Sequence, residues 1–527
     1  MRTVTIIVVA TFLCGGVARG DAIAVGGLDS ASVADAIGRS QAGDTVLLRA
    51  GEYAITEPIK PKSNTRLVGA GEDETILRIA LGKPGQAILL AGVENVEVAR
   101  LTVDGAGNPN ALQGIYAVNS RRLNIHHVTV CNLIKNDRFG PHGIHFNGNN
   151  PTRERGVTDS VIADCTVENV GVGAKFGCGI RVSWGSSRNR ILRCTVRDTG
   201  RGGIFGDNGS TDLVIRDNVV TGSGGEGLGI EVWGGCDRSI IEDNEIDHWL
   251  SVGGCDYCSV RRNVVAAQDG TTKPYGLEII GSYCVVTDNV VGPGQGIGIS
   301  VSSKMPKNYH FYANNTIRRC YHWGVQLQGE EGGIAYHYYY RCKFLETLVG
   351  HPAVKYKGAE GNGFRANGNV KHVVLEECEM RDNGRCGVQL GGRGVDAVSF
   401  IRCIISGNKG PAVVGPADYA ALEWIDCTVE GNGRNELPPA KPFVEPAPRA
   451  SLEGPAEALV GQEVTFRNTS KGSRTTLWDL GDGIPLTGDE VAHAYTRPGE
   501  YRVTLIAWNV AGRGARAEKV LRVREPR

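Results

Sequence analysis

Between residues 165 and 427 one kind of position recurs, always Cys or Asn: Cys165, Cys194, Asn218, Asn244, Asn263, Asn289, Asn315, Cys342, Cys378, Cys403 and Cys427. It lies inside segments of one shape, such as "VIADCTVENV", "VIRDNVVTG" and "FIRCIISGN". Successive steps are 29, 24, 26, 19, 26, 26, 27, 36, 25 and 24 residues, a repeat in the mid-twenties with one short unit and one long one. A unit of that size cannot bury a core alone and must stack on its neighbours. Each unit also carries a strand-like piece opening with glycine and an aliphatic, among them "GIHFN", "GIRVS", "GIEVW", "GLEII" and "GVQLQ". Apolar residues alternate within these pieces, and no helical period of useful length competes after residue 40. The expected fold is therefore all-β, a parallel solenoid in which a buried asparagine passes its amide hydrogen bond to the next coil and a small cysteine fits the same slot.

Composition agrees with many short strands and tight turns: glycine reaches 74 residues, aromatics stay at 6%, and 41% hydrophobic residues still supply a core. The 57 basic and 57 acidic residues cancel, which argues against nucleic acid or an anionic membrane as a partner recruited by a global field. The first 20 residues, with Arg2, an apolar run from Val4 to Leu13 and small residues before Ala18 and Gly20, read as a secretory signal. That run is too short to span a bilayer, and Thr11-Phe12-Leu13 lacks the small residue expected before a lipidated Cys14. A soluble, secreted or periplasmic protein without a membrane span is expected.

On these repeats the region from about residue 24 to 434 resembles the right-handed parallel β-helix superfamily that includes pectate lyases and polygalacturonases. "SVADAIGRSQAGDTVLLRAGEYAITEPIKPKSNTRLVGAGEDETIL" is similar to that superfamily's N-terminal cap, a short amphipathic helix followed by the first coil. The solenoid is bounded at 21–434, followed by a proline-rich linker at 435–449 containing "PPAKPFVEPAPR". In residues 450–527, Trp478-Asp479-Leu480-Gly481-Asp482-Gly483 with His493, Tyr495, Gly499, Tyr501 and Asn509 closely resembles a PKD domain, a small β-sandwich. That resemblance implies an extracellular module able to contact matrix or cell surface. Asp479 and Asp482 are either turn-stabilising or a metal pair.

Cys14 aside, six of the cysteines share the ladder column, where burial in a turn explains them. Cys236 with Cys255 and Cys258 with Cys284 sit at matching offsets on adjacent coils, about 4.8 Å apart and so within reach of a disulfide. A zinc site at "CDYC" lacks the accompanying histidine or second CxxC spacing.

The superfamily resemblance implies that substrate lies along the strand with the glycine-aliphatic start. One place after the aliphatic come Tyr116, His145, Arg181, Phe205, Glu231, Ser251, Glu278, Ser300, Gln326, Arg365 and Gln389, and two places further lie Asn147, Ser183, Asp207 and Trp233. Glu231 and Glu278 then fall two coils apart, about 10 Å, with Asp207 on a diagonal about 8 Å from Glu231, a spacing that suits an acid and base flanking a glycosidic bond with room for water. The candidate catalytic residues are accordingly Glu231, Glu278 and Asp207, for hydrolysis of a polysaccharide. Trp233, Trp184 and Phe205 are candidate sugar platforms, as is Trp249, and His145 and Arg181 candidate binders of hydroxyls or a carboxylate.

The polygalacturonase motifs Asn-Thr-Asp, Asp-Asp, Gly-His-Gly and Arg-Ile-Lys are missing, so no catalytic residue carries over from that family. The pectate lyase phrase Trp-Ile-Asp-His has a partial echo in "EIDHW" in a different register, after the ladder asparagine rather than before it, which leaves Asp247 and His248 as candidates for a turn-borne acid and base. The alternative to hydrolysis is a lyase acting on a uronate polymer, where a cation neutralises the carboxylate and Lys, Arg, His or Tyr removes the C5 proton. For that chemistry the longest coil offers His351, Lys355, Tyr356, Lys357 and Arg365. Hydrolysis demands no cofactor, whereas calcium is possible for a lyase. A third reading is a non-catalytic protein that holds glycan.

Overall fold

The computed structural model describes residues 20–136, 140–224, 228–267, 273–303, 306–350, 361–392, 394–415, 419 and 421–526. Residues 1–19 of the expected leader and the loop residues His351, Lys355, Tyr356 and Lys357 lie outside them.

The chain opens with a strand at Ala22–Ala24 and a helix at Ser30–Arg39. Asp29 caps the helix by accepting the Ser32 N–H, and Val33, Ala36 and Ile37 turn inward to close the end of the solenoid. From there short strands stack in parallel coil upon coil. Leu228–Trp233 pairs with Gly202–Asp207 before it and Leu250–Gly253 after it, Ile240–Glu242 pairs with Val214–Arg216 and Ser259–Arg261, and Glu245–Ile246 pairs with Val219–Thr221 and Val264–Val265. These coils thus have three strands each, and two of the three merge into one in coils such as those of Trp323–Tyr340 and Asn362–Glu376. Like residues meet in columns: Ile204, Ile230, Leu250, Leu277, Ile299, Val325, Phe364 and Val388 form one buried row down the interior.

The Cys/Asn position occupies a sharp corner between two of these strands. The residue before it takes a left-handed conformation, as at Asp217, Asp243, Arg262 and Asp288 with φ of 58°, 58°, 51° and 58°. That bend leaves carbonyls facing inward, and the ladder satisfies them. Asn263 Nδ2 donates to Ile241 O at 3.0 Å and to Asn289 Oδ1 at 3.0 Å, while its own Oδ1 accepts from Asn244 Nδ2 at 2.9 Å. The row runs unbroken from Asn218 to Asn315. Where cysteine replaces asparagine the thiol takes over the carbonyl contact, as Cys194 Sγ does with Ile162 O of the preceding coil at 3.8 Å. Two further rows were not read from the sequence: an amide row through Asn383, Asn408 and Asn432, and a stack of Tyr257, Tyr283, Tyr309 and Tyr336.

The cysteines from Cys131 to Cys427 are all free thiols. Cys236 and Cys255 do stack on adjacent coils, but the contact is a Cys236 N–H donating to Cys255 Sγ at 3.2 Å, and Cys258 Sγ is directed at the Cys236 carbonyl. Interior packing of single thiols, not bridging, accounts for both pairs.

Residues 452–524 form a sandwich of a three-stranded and a four-stranded sheet around Phe466, Trp478 and Tyr495. The sandwich is not merely tethered. Leu477, Ile506 and Trp508 pack against Val285, Phe311, Tyr338, Tyr340 and Val374 on the flank of the solenoid. At the rim of this contact Arg261 donates to Asp479 at 2.6 Å, with both side chains under a tenth exposed, and Arg516 and Arg513 reach Glu376 and Glu423. Asp479 also accepts the Gly481 N–H at 2.9 Å, and Asp482 pairs with His493. Asp479 thus serves both its turn and the domain contact, and the two aspartates do not form a metal pair.

Candidate functional site

The register places the candidate residues on one strand column. Tyr116 pairs with His145, His145 with Arg181, Arg181 with Phe205, Phe205 with Glu231, Glu231 with Ser251 and Ser251 with Glu278. Asp207 pairs with Trp233 on the coil that carries Glu231. The column is drier than an outward strand face suggests: Glu231 is 3% exposed and Asp207 2%. Coils spaced by about 4.8 Å sandwich each side chain between those above and below.

Burial raises the carboxyl pKa of Asp207, Glu231 and Glu278, but their partners differ. Arg181 Nη2 donates to Asp207 Oδ2 at 2.6 Å, and Arg201 Nη2 donates to both oxygens of Glu231 at 2.9 Å, so guanidiniums pull these two carboxyls back down. Glu278 instead accepts from Trp249 Nε1 at 3.2 Å and Ser251 Oγ at 2.8 Å, neutral donors that oppose burial only partly. The three acids therefore do not form the free carboxylate set expected from their spacing: two are counterions of arginines. Arg201 carried no signal of its own, because it lies in the turn before its strand and reaches forward one coil to Glu231.

Phe205 is not an open sugar platform. Arg181 and Arg201 lie 5.4 and 5.3 Å from its ring centroid, so the ring is a spacer between two guanidiniums. Trp184 sits in the left-handed turn after the strand Cys178–Val182 and outside the column. Trp233 does present a face: it is 47% exposed and lies flat over Gly253, where an added Cβ would meet its ring at 2.0 Å.

His145 stands in a polar chain that the sequence did not order. Ser183 Oγ donates to Asn147 Oδ1 at 2.7 Å and therefore accepts from His145 Nε2 at 2.8 Å, while Asn147 Nδ2 donates to the Tyr116 oxygen at 2.9 Å. Burial, with His142 and Arg181 nearby, holds His145 neutral, its pKa well below the usual histidine value. The Tyr116 ring meets His145 edge-on at 5.4 Å, and Arg181 Nη1 donates to His142 Nε2 at 3.2 Å. Asp247 and His248 are hydrogen-bonded to each other, with His248 1% exposed.

Among the described residues no three His, Cys, Asp or Glu side chains are grouped to hold a metal. A calcium ion does not fit the acid column, since the guanidiniums of Arg181 and Arg201 already occupy the carboxylates of Asp207 and Glu231. No helix among the described residues is long and apolar enough to cross a membrane.

Comparison with known proteins places these features in context. The pre-neck appendage protein of Bacillus phage B103 is 22% identical over 422 residues, covering 74% of this chain and 44% of that protein, so the chain spans less than half the length of that relative. The N-terminal fragment of the bacteriophage Phi29 gene product 12 superposes with a TM-score of 0.48 at 16% identity, over 78% of this chain and 70% of that one. The A-module of the Azotobacter vinelandii mannuronan C-5 epimerase AlgE6 does so with a TM-score of 0.37 at 16% identity, over 76% of this chain and 94% of that one. The model of the PKD domain matches residues 445–524, and that of the right-handed beta helix region matches residues 86–246 and 248–437. With the stacked coils and the docked sandwich, these matches show that the chain belongs to the right-handed β-helix family and carries a PKD domain.

Proposed function

We propose that the strand face carrying this column is a substrate groove that processes an acidic polysaccharide outside the cytoplasm, cleaving a uronate polymer by β-elimination. The observation that carries this reading is the pairing of two guanidiniums, Arg181 and Arg201, across Phe205 with the neutral Tyr116–Asn147–Ser183–His145 chain beside them. Elimination removes the proton on the carbon bearing the carboxylate, and charge then builds on the carboxylate oxygens. The two guanidiniums are placed to take up that charge with their remaining N–H groups. Tyr116 is the half-exposed end of the chain and meets the sugar. Its oxygen is held by the Asn147 N–H whether or not it carries its proton, which suits it to take the C5 proton and return one to the leaving oxygen as the C4–O bond breaks. Asp207 and Glu231 hold the arginines in place, and Trp233 supports a sugar ring.

A second reading, hydrolysis, is favoured by one observation: Glu278 has no guanidinium partner among the described residues and its raised pKa suits a general acid, with Glu231 two coils away as base. A panel of uronate and neutral polysaccharides digested by wild type, Tyr116→Phe and Glu278→Gln separates the two. Elimination yields ultraviolet-absorbing unsaturated ends, lost on the order of 100-fold in Tyr116→Phe. Saturated reducing ends that persist in Tyr116→Phe and vanish in Glu278→Gln would overturn it in favour of hydrolysis, and glycan retained without any product would leave only a binding protein.

A further inference from the structure

The same column continues three coils beyond Glu278, through Ser300 and Gln326 to Arg365. Arg365 differs from the arginines of the acid column. Its Nη1 donates to the Gln328 amide oxygen at 3.0 Å, its guanidinium lies 4.6 Å from the Trp323 ring centroid, and its buried Nε has no partner among the described residues. The residues around it on the face, Gln326, Gln328, Asn367 and Gln389, are amides, and no carboxylate pairs with it among the described residues. A half-buried cation without a counter-charge is costly to hold in a folded protein, and burial lowers the Arg365 pKa. Amides are also the groups that hydrogen-bond sugar hydroxyls, and Trp323, 3% exposed, backs the guanidinium from beneath.

We propose that Arg365, with Gln328, Asn367 and Trp323, forms a remote subsite that binds the anionic group of a sugar unit, a carboxylate or a sulfate, on a chain lying along the groove. Arg365 lies seven coil spacings from Arg181 and nine from Tyr116, roughly 34 and 43 Å, so only a chain of many sugar units reaches both. The subsite rests on the groove being a glycan site, but not on elimination as its chemistry. Binding energy gathered here holds a long chain in register over the Tyr116 and Arg181 region, and makes chain length a determinant of affinity.

Calorimetric titration of wild type, Arg365→Gln and Arg365→Lys with long and short polygalacturonate oligomers, dextran sulfate and neutral dextran tests it, with thermal melting to confirm that each variant is folded. Wild type is expected to bind long acidic chains more tightly than short ones and than dextran, with affinity falling as salt rises. Arg365→Gln should weaken binding of long acidic chains by tenfold or more, roughly the value of a charge-assisted hydrogen bond, and Arg365→Lys should restore part of it. Loss confined to polygalacturonate identifies a carboxylate, and loss confined to dextran sulfate identifies a sulfate. The subsite is overturned if folded Arg365→Gln binds long acidic chains like wild type, or if wild type does not prefer them. Absence of unsaturated products while the Arg365-dependent binding persists would sink the elimination reading alone.

Discussion

Replacing Asp479 by Asn should release the sandwich from the solenoid. Arg261 is 4% exposed at its side chain and Asp479 7%, and the pair is made by contacts of 2.6 and 3.4 Å, with Arg261 Nε on Ser259 Oγ at 2.6 Å. Asparagine keeps the shape and the Gly481 N–H contact but leaves a buried guanidinium without its carboxylate. Breaking one side of such a pair costs about 3–5 kcal/mol. Arg261 can recover its hydration only if the domain moves away, so the loss is capped by the free energy of docking and falls on the interface before the coils. Two assays read it: limited proteolysis in the linker at 438–449, and fluorescence of Trp508, which is fully buried at the contact. Both should change in Asp479→Asn under conditions where the solenoid keeps its circular dichroism. A double replacement, Arg261→Met with Asp479→Asn, should restore docking, since it removes the buried charge while keeping the Gly481 N–H contact. A measured cost below about 1 kcal/mol, the value of an exposed pair, would refute the argument that burial makes this contact decisive.

Asn263→Ala removes the amide that joins Ile241 O, Asn244 and Asn289, and should cost about 1–3 kcal/mol for each buried group left unpaired, whereas Asn263→Cys, the choice of other coils, should cost less by chemical denaturation. His310 is fully buried on Gly281 O and Tyr312, with its pKa depressed to about 4. The unfolded chain therefore binds more protons between about pH 6.5 and 4, and stability should fall across that window as pH drops, by at most about 3 kcal/mol at its lower end, in denaturation at fixed pH values. Gly253→Ala places a methyl where the Trp233 ring lies and should weaken glycan binding while the solenoid's melting temperature changes little; unchanged binding would remove Trp233 as a platform.

The solenoid was legible because its constraint is local and repeated. Each unit places an amide or thiol at one corner and an alternating strand after a glycine, and stacking makes every coil confirm the next. The register of Glu231, Ser251 and Glu278 followed from that count alone. Partners of the side chains were not legible. Arg201 lies outside any column yet satisfies both oxygens of Glu231, and this contact turns a candidate base into a counterion. The polar chain from Tyr116 to His145 depends on which way Asn147 and Ser183 point, which residue identity does not state.

The sequence by itself determined the coil repeat, the residues sharing each column and the presence of a sandwich after the linker, because backbone periodicity and turn chemistry act over a few residues. Only the tertiary structure decided the rest: that the acids are buried and two of them neutralised, that Arg365 meets no carboxylate among the described residues, and that Asp479 binds Arg261 from 218 residues away. These depend on desolvation and on charges meeting through space, quantities set by side-chain neighbours rather than by spacing along the chain.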